Sequence, residues 1–184
     1  MIWNIDDSNS VVGFGVKHLM VSTVHGRFNK FSGKIDWNED DLANSTVEAS
    51  VVTSTVETGD KSRDKHLRAP DFFDIQNYHT MDFKSTRIKQ VAPTKYRLTG
   101  NLTIKNVTKE ITFEVDYIGR SGKAFSANSA PFKAVAMINR KDFGLSWSPT
   151  VETGGIMVAD KIKIELTIKA VKESIKETAD TVAA

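Results

Sequence analysis

The stretch Lys161-Ile-Lys-Ile-Glu-Leu-Thr-Ile-Lys-Ala-Val171 decides the fold of this chain. Apolar side chains take every second position from Ile162 to Ala170, and lysine, glutamate or threonine fills the positions between them. Side chains alternate between the two faces of a strand, so this pattern predicts a strand with one buried and one solvated face. Its length, about twice the common ~5–6 residues, favours a tall sheet that encloses its own interior.

Seven further segments repeat this alternation, which gives eight predicted strands. Each places apolar residues in one row and mostly polar residues in the other. The seven rows are residues 12–18, 31–37, 47–51, 81–85, 96–104, 111–117 and 132–140. Short polar connections join several of them, and these are Asn38–Asp41, Ala92–Thr94, Lys105–Val107 and Gly119–Gly122. Such connections predict neighbouring antiparallel strands.

Both a β-sandwich and a β-barrel bury one face of every strand. Long strands joined in up-and-down order by short turns favour the barrel, because closure removes exposed sheet edges. The predicted fold class is therefore all-β, an eight-stranded antiparallel barrel. It is expected to occupy residues 1–172 as one domain, followed by a polar tail over 173–184.

Residues 58–69 interrupt the strand pattern and are predicted to form a short helix. Thr58 is expected to cap its N-terminus. The positive charge of Arg68 is favourable near its C-terminus, and Pro70 ends the helix. An inserted helix in an all-β chain is expected to close a barrel mouth or cover an open edge. The apolar pair Phe72-Phe73 is expected to dock this segment against the barrel.

Composition narrows the function classes. The chain has 184 residues, a net charge of +2 and no cysteine, so a disulfide or a cysteine-ligated metal is excluded, and nothing points to nucleic acid as a partner. No apolar run approaches the ~18 residues of a membrane span, and the N-terminus lacks a signal-peptide pattern. The chain as written is expected in the cytoplasm, or in the periplasm if a leader has been removed.

Small residues within the apolar rows predict unfilled space inside the barrel. They are Gly33, Ala49, Gly100, Ala134 and Ala136. This space would suit an extended apolar chain. The alternative, that Phe and Trp side chains from facing strands fill the interior, stays open at this point.

Four motifs together resemble the YceI-like family. They are Val11-Val-Gly-Phe-Gly-Val-Lys-His-Leu19 with Gly26-Arg-Phe and Phe31-Ser-Gly33; Arg63-Asp-Lys-His-Leu-Arg-Ala-Pro-Asp-Phe-Phe-Asp74; Leu98-Thr-Gly-Asn-Leu-Thr-Ile-Lys-Asn-Val-Thr-Lys109; and Ile138-Asn-Arg-Lys-Asp-Phe-Gly-Leu-Ser-Trp147. Asn106 stands where the family usually has glycine. The resemblance covers about residues 2–171 with the motifs in the family's order and spacing.

The resemblance implies a lipocalin-like barrel, in many members a dimer, that binds a long amphiphile such as a polyisoprenoid or fatty-acyl compound for transport or storage. The residues expected on the apolar wall of the interior are Phe14, Val16, Phe31, Phe83, Leu102, Phe113, Val115, Phe132 and Ala136. Those expected at a mouth that contacts the head group are His18, Arg63, Lys65, His66, Arg68 and Arg140. Arginine suits this role because its guanidinium matches carboxylate and phosphate geometry.

Each mouth residue also has a purely structural interpretation. His18 could be a hydrogen-bonded rim histidine, and Arg63 with Asp64 could tie the helix to a strand end. A buried arginine needs a partner, so Arg140 is expected to pair with Asp142 or Asp64.

Catalytic patterns are missing from the sequence. The four histidines lack metal-ligand spacing, and there is neither a Gly-x-Ser-x-Gly elbow nor a phosphate-binding loop. The sequence thus predicts no catalytic residue, metal or cofactor. Two alternatives to a binding protein stay open: an enzyme acting on a lipid-like substrate in the same interior, and a structural or stress protein with a filled barrel.

Overall fold

The computed structural model describes residues 1–18, 21–120, 123–125, 127–147 and 158–174. These residues form eleven β-strands and one α-helix, with four short 3₁₀ turns. The strands are β1 (Ile2–Ile5), β2 (Val11–His18), β3 (Ser22–Phe28), β4 (Phe31–Asp36), β5 (Thr46–Val52), β6 (Val56–Glu57), β7 (Thr80–Ala92), β8 (Lys95–Ile104), β9 (Val107–Tyr117), β10 (Ser129–Asn139) and β11 (Val158–Lys172), and the helix is α1 (Lys61–Arg68). Most of the predicted tail, residues 175–184, and residues 121–122 of one predicted turn lie outside the described residues.

The strands close into an antiparallel barrel. In the described residues the ring is β1-β4-β5-β7-β8-β9-β10-β11, and it closes because β11 also pairs with β1, Ile5 opposite Ala170. From Val158 to Thr167, β11 pairs with β2 instead, with Val16 opposite Ile162. This confirms the predicted eight-stranded antiparallel barrel, with the 161–171 segment at its seam.

The first three barrel strands are each broken into two segments. β1 continues as β2 after the turn Asp7–Asn9, β3 continues as β4, and β5 continues as β6 after the turn Thr53–Thr55. The predicted rows 12–18 and 31–37 are consequently not neighbours, since β2 pairs with β3 and β4 pairs with β1. β1 was not predicted from sequence because four residues carry little alternation. β3 was not predicted because the inward row there, Val24, Gly26 and Phe28, contains a glycine and only two apolar side chains.

The inserted helix is present and begins later than predicted, at Lys61. Asp60 caps it, with its Oδ1 accepting a hydrogen bond of 3.0 Å from the backbone N–H of Arg63. Thr58 was the expected cap and does not serve as one. Its backbone N–H and its hydroxyl donate instead to Oδ1 of buried Asp64, at 2.9 and 2.6 Å.

Helix α1 is fastened to the broken third barrel strand. Arg68 donates from Nε to the carbonyl of Ser54 at 2.8 Å and from Nη2 to the carbonyl of Val56 at 2.9 Å. Phe72 and Phe73 are buried as predicted, and the Phe73 ring lies 5.5 Å from that of Phe28. We call this end of the barrel, where β2 ends and β7 begins, the helix end.

Aromatic side chains pack together at the opposite end. Phe125 adopts a left-handed φ of 60° and places its ring 4.7 Å from that of Trp3 and 4.5 Å from that of Trp37. The Trp37 ring also lies 5.6 Å from that of Tyr96. We call this the aromatic end. It is occupied by interlocked rings, whereas the helix end carries charged side chains.

Gly100 lies where two barrel strands approach closely. A Cβ atom there would be 2.5 Å from the carbonyl oxygen of Lys84 and 2.7 Å from Cα of Ser85, both backbone atoms that cannot easily move. We expect Gly100→Ala to lower the free energy of unfolding by about 1–3 kcal/mol, measured by urea denaturation. Gly15→Ala is the control, because its Cβ would meet nothing closer than a Thr23 methyl at 3.4 Å. Equal stability of the two variants would contradict this account.

Candidate ligand-binding cavity

A cavity of about 630 Å³ lies inside the barrel. Its lining extends from Arg63 and His66 on α1 to Trp37 and Phe125 at the aromatic end. Arg63 is exposed, so the cavity reaches the surface at the helix end. This volume falls within the range of ~300–1,000 Å³ typical of small-molecule sites.

The inward rows of the strands form the cavity wall, as predicted. Eight of the nine residues expected there line it, and they are Phe14, Val16, Phe31, Phe83, Leu102, Phe113, Val115 and Phe132. Ala136 is the exception. It is buried in the same core cluster but does not line the cavity, whereas Ala134 does. Contact of these residues with a ligand stays a prediction.

The small residues do not all make room for a ligand. A Cβ on Gly33 would lie 2.3 Å from Cδ1 of Ile5, and one on Gly100 would lie 2.6 Å from the Phe83 ring. These two glycines accommodate neighbouring side chains. Ala49 and Ala134 do lie on the cavity wall. A cavity of this size also contradicts the alternative that aromatic side chains fill the interior.

Four of the six predicted mouth residues line the helix end of the cavity, and they are His18, Arg63, His66 and Arg140. The structure corrects the placement of the other two. Lys65 is exposed and lies off the wall, and Arg68 is bound to the carbonyls of Ser54 and Val56. A helix turns by about 100° per residue, so only one side of α1 can face the opening.

Arg63 and His66 are both held by neighbouring groups. Arg63 donates from Nε to the hydroxyl of Thr58 at 2.7 Å and from Nη2 to the Thr58 carbonyl at 2.9 Å. Arg63 and Asp64 both bind Thr58, the residue that follows β6, so together they tie α1 to a strand end, as expected. His66 Nε2 lies 2.9 Å from Oδ2 of Asp71, and its ring packs 4.4 Å from that of Trp147.

Arg140 is almost completely buried, with 2% of its surface exposed. Its Nη1 donates to the carbonyls of Leu145 and Trp147 at 2.6 and 2.7 Å, and its Nε donates to the carbonyl of Ala159 at 3.1 Å. Its Nη2 lies 3.5 Å from Oδ1 of Asp160. Burial lowers the pKa of Arg140, and Asp160 opposes that shift.

The predicted partners of Arg140 were wrong. Asp142 is exposed, and Asp64 is engaged by Thr58. Arg140 joins the segment that follows β10 to the beginning of β11, which makes it a structural element of the cavity rim. No spacing in the sequence links it to Asp160, because only the barrel brings the two strand ends together.

Two polar aromatic side chains at the other end of the cavity were not assigned a role from sequence. Trp37 lines the cavity, and its Nε1 is buried without a hydrogen-bond acceptor in the described part of the chain. Tyr96 also lines the cavity, and burial raises the pKa of its hydroxyl, with Glu39 and Tyr117 adding to the effect. The hydroxyl therefore stays protonated at neutral pH.

The arrangement suits an elongated apolar molecule with a polar group at the helix end. Apolar side chains along the wall would gain about 25 cal/mol for each Å² of surface removed from water. Among the described residues, no group of three or more His, Cys, Asp or Glu is placed to hold a metal ion. No helix within the described ranges is long and apolar enough to cross a membrane.

A closed antiparallel barrel around an apolar cavity is the architecture of lipocalin-like proteins. The sequence matches the YceI-like domain over residues 3–170, and the chain belongs to the YceI-like family. It is 34% identical to a UPF0312 protein of Staphylococcus epidermidis over 89% of this chain and 93% of that protein.

Solved structures share the fold. BcnA of Burkholderia cenocepacia superposes with a TM-score of 0.79 at 26% identity, over 91% of this chain and 99% of BcnA. A polyisoprenoid binding domain from Saccharophagus degradans superposes with a TM-score of 0.68 at 14% identity, over 93% of this chain and 98% of that domain. At 14% identity the second likeness establishes the fold alone.

Proposed function

We propose that this protein binds a long-chain amphiphile of the polyisoprenoid or fatty-acyl type inside its barrel, for transport or storage. The observation that carries the proposal is the cavity of about 630 Å³, with apolar walls along the barrel and cationic side chains at the helix end. The Saccharophagus degradans domain of the same fold is described as polyisoprenoid binding, which supports the ligand class.

Burial of the chain would supply the affinity. Each methylene removed from water contributes about 0.8 kcal/mol, so about ten buried methylenes contribute about 8 kcal/mol before ordering costs are subtracted. Ordering costs of about 4 kcal/mol or more leave about 4 kcal/mol, a millimolar Kd, so about five further buried methylenes are needed to reach the micromolar range.

Mass spectrometry of organic extracts from natively purified protein tests the proposal. We expect one class of long-chain amphiphile to co-purify in near-stoichiometric amount, and delipidated protein to bind cis-parinaric acid, a linear fluorescent fatty acid. Turnover of the extracted compound would instead favour an enzyme. An empty extract together with no binding of the fluorescent acid would overturn the proposal.

The head group is proposed to lie near Arg63. We expect Arg63→Gln to weaken hexadecanoate binding more than hexadecanol binding, because only the carboxylate loses an opposing charge. Lys65→Gln is the matched control, since it removes the same charge from the same helix at a position off the cavity wall. The Arg63 effect should shrink at 1 M salt, where the Debye length is about 3 Å. Equal losses for acid and alcohol in Arg63→Gln would place the head group elsewhere.

A further inference from the structure

The aromatic end of the cavity holds a buried donor without an acceptor. Trp37 Nε1 has no hydrogen-bond acceptor in the described part of the chain, and Trp37 is part of the cavity wall. Buried polar atoms of folded proteins nearly always have a partner, so each exception calls for a physical reason. The Trp37 ring packs against two other rings, with its centroid 4.5 Å from that of Phe125 and 5.6 Å from that of Tyr96.

A second donor lies beside it. Tyr96 is buried and also lines the cavity, and the raised pKa of its hydroxyl keeps that group protonated at neutral pH. An indole N–H can only donate, and a neutral phenol can donate as well. Two side chains that line the aromatic end of the cavity thus carry donors, and this combination favours an oxygen acceptor over a terminal methyl group.

We infer that the natural ligand carries a second polar group at its buried end, a carbonyl-type hydrogen-bond acceptor that binds the Trp37 indole N–H. This inference rests on the proposed function and narrows it to amphiphiles that are polar at both ends. The first polar group lies at the helix end, and the carbonyl lies at the aromatic end. A plain hydrocarbon tail would leave the Trp37 N–H unpaired, whereas a keto-terminated tail of matching length would not.

Isothermal titration with two matched ligand series tests the inference. The first consists of saturated fatty acids from dodecanoic to eicosanoic acid, and the second of the same acids ending in a methyl ketone. We expect the keto acid of best-fitting length to bind about fivefold more tightly than its plain counterpart, as one additional buried hydrogen bond provides. Trp37→Phe, which keeps a ring and removes the N–H, should abolish this preference.

Trp3→Phe is the control. Trp3 is fully buried at the same end, and its Nε1 likewise has no acceptor in the described part of the chain, but it is not part of the cavity wall. The preference for the keto acid should survive in this variant. Loss of the preference in both variants would mean that general packing of the aromatic end causes it, and the inference would fail.

The indole N–H signals give a readout that packing alone would not move. The chain has three tryptophans, so a proton–nitrogen spectrum contains three indole signals, which the two Phe variants and exclusion assign. We expect the Trp37 proton signal to move downfield with the keto acid relative to the plain acid, while the Trp3 signal stays in place. Equal affinity for both series, or an unmoved Trp37 signal, overturns this inference and leaves the proposed function intact. If neither series binds, the proposed function fails and this inference fails with it.

Discussion

Arg140→Ala is expected to lower the free energy of unfolding by about 3 kcal/mol. The buried guanidinium satisfies the carbonyls of Leu145, Trp147 and Ala159 and lies beside the carboxylate of Asp160. Truncation leaves these acceptors without their donor and opens space in a packed region. Oδ1 of Asp160 is itself buried and accepts no hydrogen bond in the described residues, so it depends on nearby positive charge.

The expected decrease of about 3 kcal/mol in Arg140→Ala is a large part of the ~5–15 kcal/mol by which a typical domain is stable. It corresponds to a decrease in Tm of about 6–12 °C, measurable by calorimetry. Lys141→Ala is the matched control, because its Nζ lies 3.4 Å from the same Asp160 oxygen while the side chain remains exposed. An exposed ion pair contributes at most about 1 kcal/mol, so this variant should unfold near the wild-type temperature. Similar Tm values for both variants would show that Arg140 does not hold the rim together.

Ala134→Phe is expected to weaken binding of cis-parinaric acid by at least about tenfold, equal to 1.4 kcal/mol. Ala134 lies on the cavity wall between Val115 and Leu166 of the flanking strands, which also line the cavity. A phenyl ring there would occupy space that the chain of the ligand needs. Because Ala134 lines the cavity, the ring can extend into open space, and the free energy of unfolding should change by less than about 1 kcal/mol.

Ala136→Phe is the control for Ala134→Phe. It distinguishes a loss of binding caused by a filled cavity from one caused by overpacking of the core. Ala136 is in the same inward row and is buried but does not line the cavity, so we expect a ring at this position to displace packed side chains. We expect it to lower the free energy of unfolding by about 1–3 kcal/mol. Fluorescence titration and urea denaturation of both variants check the pair. Unchanged affinity in Ala134→Phe would place the ligand outside the cavity.

Period-two alternation determined much of the barrel from sequence. Long alternating segments such as β9, β10 and β11 must each bury one face. Because short turns connect most of them, neighbouring segments are expected to pair antiparallel in one sheet. This reasoning located the barrel and eight of nine wall residues. It missed β1 because four residues show little alternation, and β3 because its inward row contains Gly26 and only two apolar side chains, Val24 and Phe28.

The sequence did not reveal the hydrogen-bond and ion-pair partners of the charged side chains near the cavity. Which residues of α1 face the opening depends on how Arg68 is fastened to the carbonyls of Ser54 and Val56, and local sequence does not encode that contact. The pairing of Arg140 with Asp160 joins two strand ends that are twenty residues apart in the chain, so no motif spacing reveals it.

The sequence by itself thus determined the faces of the long strands, the number of barrel strands and the presence of one helix, because these follow from local periodicity and turn chemistry. Only the tertiary structure decided where the interior stays open and which cations line its rim. It also decided that Trp37, a lining residue, keeps an indole N–H without an acceptor in the described residues. The physical reason is that a cavity is the space left between side chains from different strands. Its shape depends on how rings such as Phe83 and Phe125 pack across the barrel, and the order of residues along any one strand does not fix that packing.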